Sequence, residues 1–195
     1  ITCGEGGMMT FKNKEQFEKA SLLRSHGITK KQDDFQAQPH GGWYYEMQEL
    51  GYNYRLSDIS CALGQSQLGK IESFLNKRTA IAEYYNDAFS HIQGLLTPEV
   101  EENFCSAYHL YVIKTEHRDE LYEYLKEKNI FSQVLYIPIH QHPFYQKLGN
   151  WGENLIETNK YYESCLALPM FPTLSKVELE YVVTSIKEFY QRYQK

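Results

Sequence analysis

The stretch Gly51-Tyr-Asn-Tyr-Arg-Leu-Ser-Asp-Ile-Ser-Cys-Ala-Leu-Gly-Gln-Ser-Gln-Leu68 constrains the fold most, because it runs from a polar, aromatic loop straight into a helix of small residues. Ser57 suits the N-cap, and Leu56, Ile59, Ala62 and Leu63 recur at helical spacing. Gly64 and Ser66 leave room for a second backbone to come close. Asn53 and Arg55 stand just ahead of the helix entrance. There an amide, a guanidinium and free backbone N–H groups together suit a phosphate or pyrophosphate. An ordinary capped core helix has the same pattern, with Asn53 as a turn residue and Arg55 as a surface ion-pair partner. On the residues alone both readings stand.

Length allows a substantial core: 195 residues, 42% of them hydrophobic, suffice for one or two domains. No apolar run approaches the roughly 20 residues of a spanning helix. Nor does a basic segment lead into an apolar one as in a secretory signal, so a cytoplasmic protein is expected. A net charge of -5 argues against nonspecific nucleic-acid binding. The 17 tyrosines suit sites and subunit contacts that are both apolar and hydrogen-bonding.

Strand and helix signals alternate. A short apolar run, Gly7 to Phe11, precedes a capping pattern at Asn13 and Gln16 and a helix carrying Phe17, Ala20 and Leu23. Residues 28–51 form an irregular connection of a length that usually serves a site or an interface. The helix from Ser57 continues, with a break, to about Ser90, bridging two domains, and Gly94 to Pro98 closes it. A small α/β domain follows. Tyr108 to Thr115 reads as a strand, 116–128 as a helix, and Phe131 to Ile139 as a second strand interrupted by Pro138. Ser175 with Glu178 forms a capping box for a last helix bearing Val182, Val183, Ile186, Phe189 and Tyr193.

Cys3, Cys61, Cys105 and Cys165 are far apart and form no C-x-x-C pair, as expected of reduced thiols. Cys61, within the proposed helix, and Cys165, in an apolar helical stretch, read as small core residues. His140 and His142 have loop or strand-end spacing beside Pro138 and Pro143, and no metal site is expected. His26, before Gly27, reads as a histidine at a helix C-terminus interacting with the dipole.

The run from Gly51 resembles the G-x-N-x-R-(L/M)-(S/N)-x-(I/L)-x-(A/S)-A-(I/L)-G-x-x-Q-L signature of the DegT/StrS-type nucleotide-sugar aminotransferases. Three further segments resemble the family in the same order: Ile1-Thr-Cys-Gly-Glu-Gly-Gly7, Leu23-Arg-Ser-His-Gly27 and Leu168-Pro-Met-Phe-Pro-Thr-Leu174. Within the family the wording is most similar to the C4 aminotransferase of UDP-linked 4-keto-6-deoxy sugars in pseudaminic acid synthesis. The resemblance implies the C-terminal portion of a fold-type-I enzyme using pyridoxal 5'-phosphate. Residues 1–85 would then close the large cofactor-binding domain, with a dimer-interface loop and a linking helix. Residues 86–195 would form the small α/β domain, the division falling in the long helix near residues 75–90.

It also implies that the cofactor-linking lysine lies just ahead of the position matched by Ile1. No catalytic residue is then expected in this chain, and the chain alone is expected not to transaminate. In the resemblance, Asn53 reaches a neighbouring subunit's cofactor phosphate, and Arg55 adds charge there or at the sugar nucleotide's pyrophosphate. Tyr136-Ile-Pro-Ile-His140-Gln-His142-Pro-Phe-Tyr145 resembles a loop that approaches the sugar, which makes Tyr136 and His140 substrate-binding candidates. The bland reading of that segment is a strand end with packed aromatics. The implied partners are a nucleotide sugar, glutamate, a second subunit in a homodimer and the missing N-terminal half, with no nucleic acid and no membrane. A deoxysugar dehydratase using the same cofactor, and a noncatalytic binding or assembly module, are the competing readings.

Overall fold

A computed structural model describes residues 1–149 and 155–193, and the side chain of Tyr193 lies outside what is described. The chain gathers into two compact units, residues 1–71 and 72–195. That boundary lies at the head of the bridging helix, ahead of the 85/86 division suggested by sequence. Ile81, Ala82 and Tyr85 already belong to the core of the second unit.

In the first unit, helix α1 (Lys14–Arg24) begins where the Asn13 side chain accepts from the amides of Glu15 at 2.8 Å and Gln16 at 3.4 Å. It ends as the backbone turns left-handed at His26 (φ 64°) and Gly27 (φ 67°). Strand β1 (Ile28–Thr29) pairs antiparallel with β2 (Glu46–Met47). The intervening connection is more ordered than its composition suggests. Its hub is Glu46, whose carboxylate accepts from the Gln36 amide at 2.7 Å, the Ala37 amide at 2.8 Å and the Tyr44 hydroxyl at 2.8 Å. The expected run at Gly7 to Phe11 is not a strand, since nothing in this unit pairs with it and Met8 and Met9 are exposed.

Helix α2 (Asp58–Leu68) starts at Ser57, whose Oγ accepts from the Ser60 amide at 3.2 Å. None of its residues is buried. Ile59 is 84% exposed, and Cys61 is exposed too, which corrects its reading as a core residue. Gly64 is not sterically demanded here: an added Cβ would meet the Cys3 Cβ at an ordinary 3.5 Å. The expected break in the long helix occurs at Gly69 and Lys70, after which α3 (Ile71–Phe89) begins.

The core sits in the second unit. Strands β3 (Leu95–Leu96), β4 (Tyr111–Thr115) and β5 (Cys165–Leu168) form an antiparallel sheet in that order. Tyr111 faces Leu168 and Ile113 faces Leu166 across the β4–β5 ladder. Helices α4 (Arg118–Glu127), α5 (Pro143–Gln146), α6 (Ile156–Ser164) and α7 (Lys176–Tyr193) complete the unit. Tyr85, Phe89, Leu121, Leu125, Ile186 and Phe189 are almost completely buried in one cluster with β4 and β5. Burial raises the pKa values of Tyr85 and Tyr111. Their hydroxyls are satisfied by the Pro169 carbonyl at 3.0 Å and Asn86 Oδ1 at 2.6 Å. The Ser175–Glu178 capping box forms as expected, with the Ser175 amide donating to Glu178 Oε2 at 2.8 Å and the Glu178 amide to Ser175 Oγ at 3.3 Å.

Two expectations fail in this unit. Cys165 is buried, but in strand β5, not in a helix: four successive buried residues erase the alternation that marks a strand. Phe131 to Ile139 is not a strand. It bridges the sheet at Gln133, which exchanges backbone hydrogen bonds with Ala167 at 3.1 and 2.8 Å, and its Leu135 carbonyl lies 3.8 Å from the Cys165 thiol before Pro138 leads into a 3-10 turn.

Candidate functional site

The segment carrying Asn53 is held across the end of α1. The last carbonyls of a helix lack partners within it, and here the Tyr52 amide donates to the Leu23 carbonyl at 2.8 Å and the Tyr54 amide to the Arg24 carbonyl at 2.9 Å. The Leu22 carbonyl accepts from Gly27 at 2.9 Å, and the His26 amide donates to the Tyr52 carbonyl at 2.9 Å. Ser25 and Asn53 thereby face each other in an antiparallel bridge. Two of the segments singled out in the sequence, Leu23–Gly27 and Gly51–Arg55, are thus one structure. His26 does lie at the helix C-terminus, in the left-handed region.

Alternation along this short extended stretch sorts its side chains. Tyr52 and Tyr54 stack on each other, with ring centroids 5.1 Å apart and planes 12° from parallel. Asn53, between them, and Arg55 are exposed. Neither the Asn53 amide nor the Arg55 guanidinium has a hydrogen bond or ion pair with any described residue. Two strong donors therefore stand free on a backbone fixed at several points, a little ahead of the α2 N-terminus. A cofactor or substrate phosphate fits this donor set, because an amide N–H and a guanidinium both donate to phosphate oxygens and neither is already engaged.

Tyr136 and His140 belong to the second unit. Tyr136 is 76% exposed, and His140 lies in the 3-10 turn Ile139–Gln141, formed after the buried Pro138. His140 Nε2 is 3.0 Å from Asn159 Oδ1 on α6, and Gln141 Nε2 donates to the same oxygen at 3.0 Å. The surface around them is apolar and open, with Ile139 64% and Phe144 66% exposed. Among the described residues no three His, Cys, Asp or Glu side chains gather as metal ligands.

The profile of the DegT/DnrJ/EryC1/StrS aminotransferase family matches residues 1–187. The chain belongs to that family. A UDP-4-amino-4,6-dideoxy-N-acetyl-beta-L-altrosamine transaminase from Campylobacter jejuni is 35% identical over all of this chain and 50% of its own length. PseC from Helicobacter pylori, an aminotransferase involved in the biosynthesis of pseudoaminic acid, superimposes with a TM-score of 0.80. It is 28% identical, over 92% of this chain and 47% of that one. The Streptococcus pneumoniae protein Spr1654, solved in its PMP form, superimposes with a TM-score of 0.82 at 24% identity, over 95% of this chain and 46% of that one. This DegT-family chain spans about half the length of the relatives it matches.

Two contributors escaped sequence reasoning. Asn159 lies in a polar stretch of helix with no motif around it, and its link to His140 spans 19 positions in sequence. The use of Leu23–Gly27 as a clamp for Asn53 was equally hidden. A hint existed in the paired glycines: a Cβ at Gly51 would collide with the Gly27 amide nitrogen.

Proposed function

We propose that this chain is the C-terminal portion of a pyridoxal 5'-phosphate-dependent aminotransferase that transfers an amino group from glutamate to C4 of a UDP-linked 4-keto-6-deoxy sugar. The observation that carries the reading is the loop at Asn53: its donors are unpaired and its backbone is fixed, inside a segment matched by the family. When bound, the cofactor supplies the electron sink that transamination requires. Asn53 donates from its amide to the cofactor phosphate across the interface of a homodimer. Arg55 adds positive charge there or at the pyrophosphate of the nucleotide. Tyr136 and His140 hold the sugar from the small domain, residues 86–195. Residues 1–85 close the large domain and supply the linking helix, and the enzyme works in the cytoplasm.

The exposed apolar surface of the first unit supports a larger assembly. Ile59, Leu63 and Leu68 on α2, together with Trp43 and Leu50, are all more than 40% exposed. Exposed apolar side chains in such number fit a surface that further polypeptide covers. The other half of the enzyme and the second subunit are the proposed cover.

The test is turnover by the full-length enzyme with pyridoxal phosphate, glutamate and a UDP-linked 4-keto-6-deoxy sugar. Formation of 2-oxoglutarate with an equal amount of 4-amino sugar is the expected result. Loss of a sugar hydroxyl with no amine gained would identify a dehydratase instead. Absence of either reaction would leave a binding or assembly module.

A further inference from the structure

The hydrogen bonds around Asn159 define which nitrogen of His140 faces outward. An amide oxygen only accepts, and Asn159 Oδ1 receives Gln141 Nε2 at 3.0 Å and His140 Nε2 at 3.0 Å. Two donors converging on one oxygen require a proton on His140 Nε2. In the neutral ring the lone pair then lies on Nδ1, which has no hydrogen-bond partner among the described residues. Gln141 follows His140 in the same 3-10 turn, whose 2.8 Å bond from the Gln141 amide to the Pro138 carbonyl holds both side chains toward α6.

We propose that Asn159 is a positioning residue: it holds His140 as the Nε2–H tautomer, so that Nδ1 is presented as a hydrogen-bond acceptor. This is the orientation needed to accept a proton donor such as a hydroxyl, and it denies the site a neutral imidazole N–H donor. The use of that acceptor rests on the reading of His140 as a ligand of the sugar. The tautomer itself does not. Gln141 is the second donor on the same oxygen: its Nε2, turned toward α6, matches Asn159 Oδ1 and not Nδ2.

Long-range 1H–15N correlation spectra of the full-length enzyme, taken at alkaline pH where free imidazoles are neutral, read the tautomer directly. His140→Gln identifies the His140 signals by their loss. A pyrrole-type Nε2 and a pyridine-type Nδ1 are expected in the wild type. Asn159→Leu should replace this with the averaged pattern of an exchanging ring, and Asn159→Asp, which still only accepts, should keep Nε2 protonated. The opposite pattern in the wild type, a protonated Nδ1, would mean that both amides are turned over and would overturn the proposal without any variant. An unchanged pattern in a folded Asn159→Leu would overturn it as well. Titrating the full-length enzyme with UDP-N-acetylglucosamine separates the two claims. A wild-type Nε2–H pattern with no response of the His140 nitrogens to the probe keeps the role of Asn159 and ends the ligand role of His140.

Discussion

Gly51 sits so close to Gly27 that a Cβ on Gly51 would strike the Gly27 amide nitrogen, while a Cβ on Gly27 would strike the Glu49 carbonyl. Gly27 also has a φ of 67°, which a side chain would strain. Their contact brings the segment around Asn53 onto the end of α1. Gly51→Ala is expected to cost about 1–3 kcal/mol locally, by overpacking. Hydrogen exchange checks this: the Tyr52 and Tyr54 amides, which donate to Leu23 and Arg24, should lose protection while the sheet of the second unit keeps its own. Equal loss in both units, or none, would contradict the local role.

Asn53 has no partner to lose within the described residues, so its removal should not disturb folding. In the full-length enzyme, Asn53→Ala should remove one hydrogen bond to a charged group, worth about 1.5–3 kcal/mol, and weaken cofactor affinity roughly tenfold to a hundredfold. Cofactor titration followed by fluorescence measures the change. Unaltered affinity would remove Asn53 from the phosphate site.

Glu46 gives the first unit a pH dependence of known sign. The Gln36 amide, followed by the Ala37 amide and the Tyr44 and Gln48 side chains, holds its carboxyl down at about 2 from an ordinary 4.5, against an opposing effect of burial. A depressed folded-state pKa means that its contribution is fully present above the ordinary carboxylate value and is lost as pH falls through about 2. Exchange at the Gln36 and Ala37 amides, corrected for intrinsic rates, should speed up over that acid window relative to the rest of the unit. In Glu46→Gln the acid step should disappear.

The second unit depends on one continuous core, and Ile186 is completely buried in it. Ile186→Ala should cost about 2–5 kcal/mol, from lost transfer energy plus the cavity left behind. Urea unfolding of the second unit's signals should show a lower midpoint with an unchanged slope. Ile59→Ala on α2, at 84% exposure, should leave the midpoint of the isolated chain unmoved.

Sequence was legible wherever the physics is local. The Ser57 and Ser175 caps, the break in the long helix and the β4 strand depend on neighbours a few residues away, and each was readable from spacing. It failed where the deciding partner is remote. Cys165 lies in a strand because β4 pairs along Cys165–Leu168, with Gln133 bridging Ala167 of the same strand, and that run has no alternation of its own. Cys61 is exposed although its helix has apolar spacing, because no described residue packs over it. Asn53 and Arg55 were legible as candidates through the family signature. Asn159 was not, since a lone polar residue on a helix carries no mark of the histidine it will meet.

The order of caps, apolar periods and family segments, written in the residues themselves, determined the family and the mixed helix-and-sheet architecture. Only the tertiary structure decided that the end of α1 clamps the Asn53 segment and that Asn159 bonds His140. Those links join residues 19 to more than 25 positions apart, and the angle-dependent hydrogen bonds behind them exist only once the backbone has brought their partners within about 3 Å.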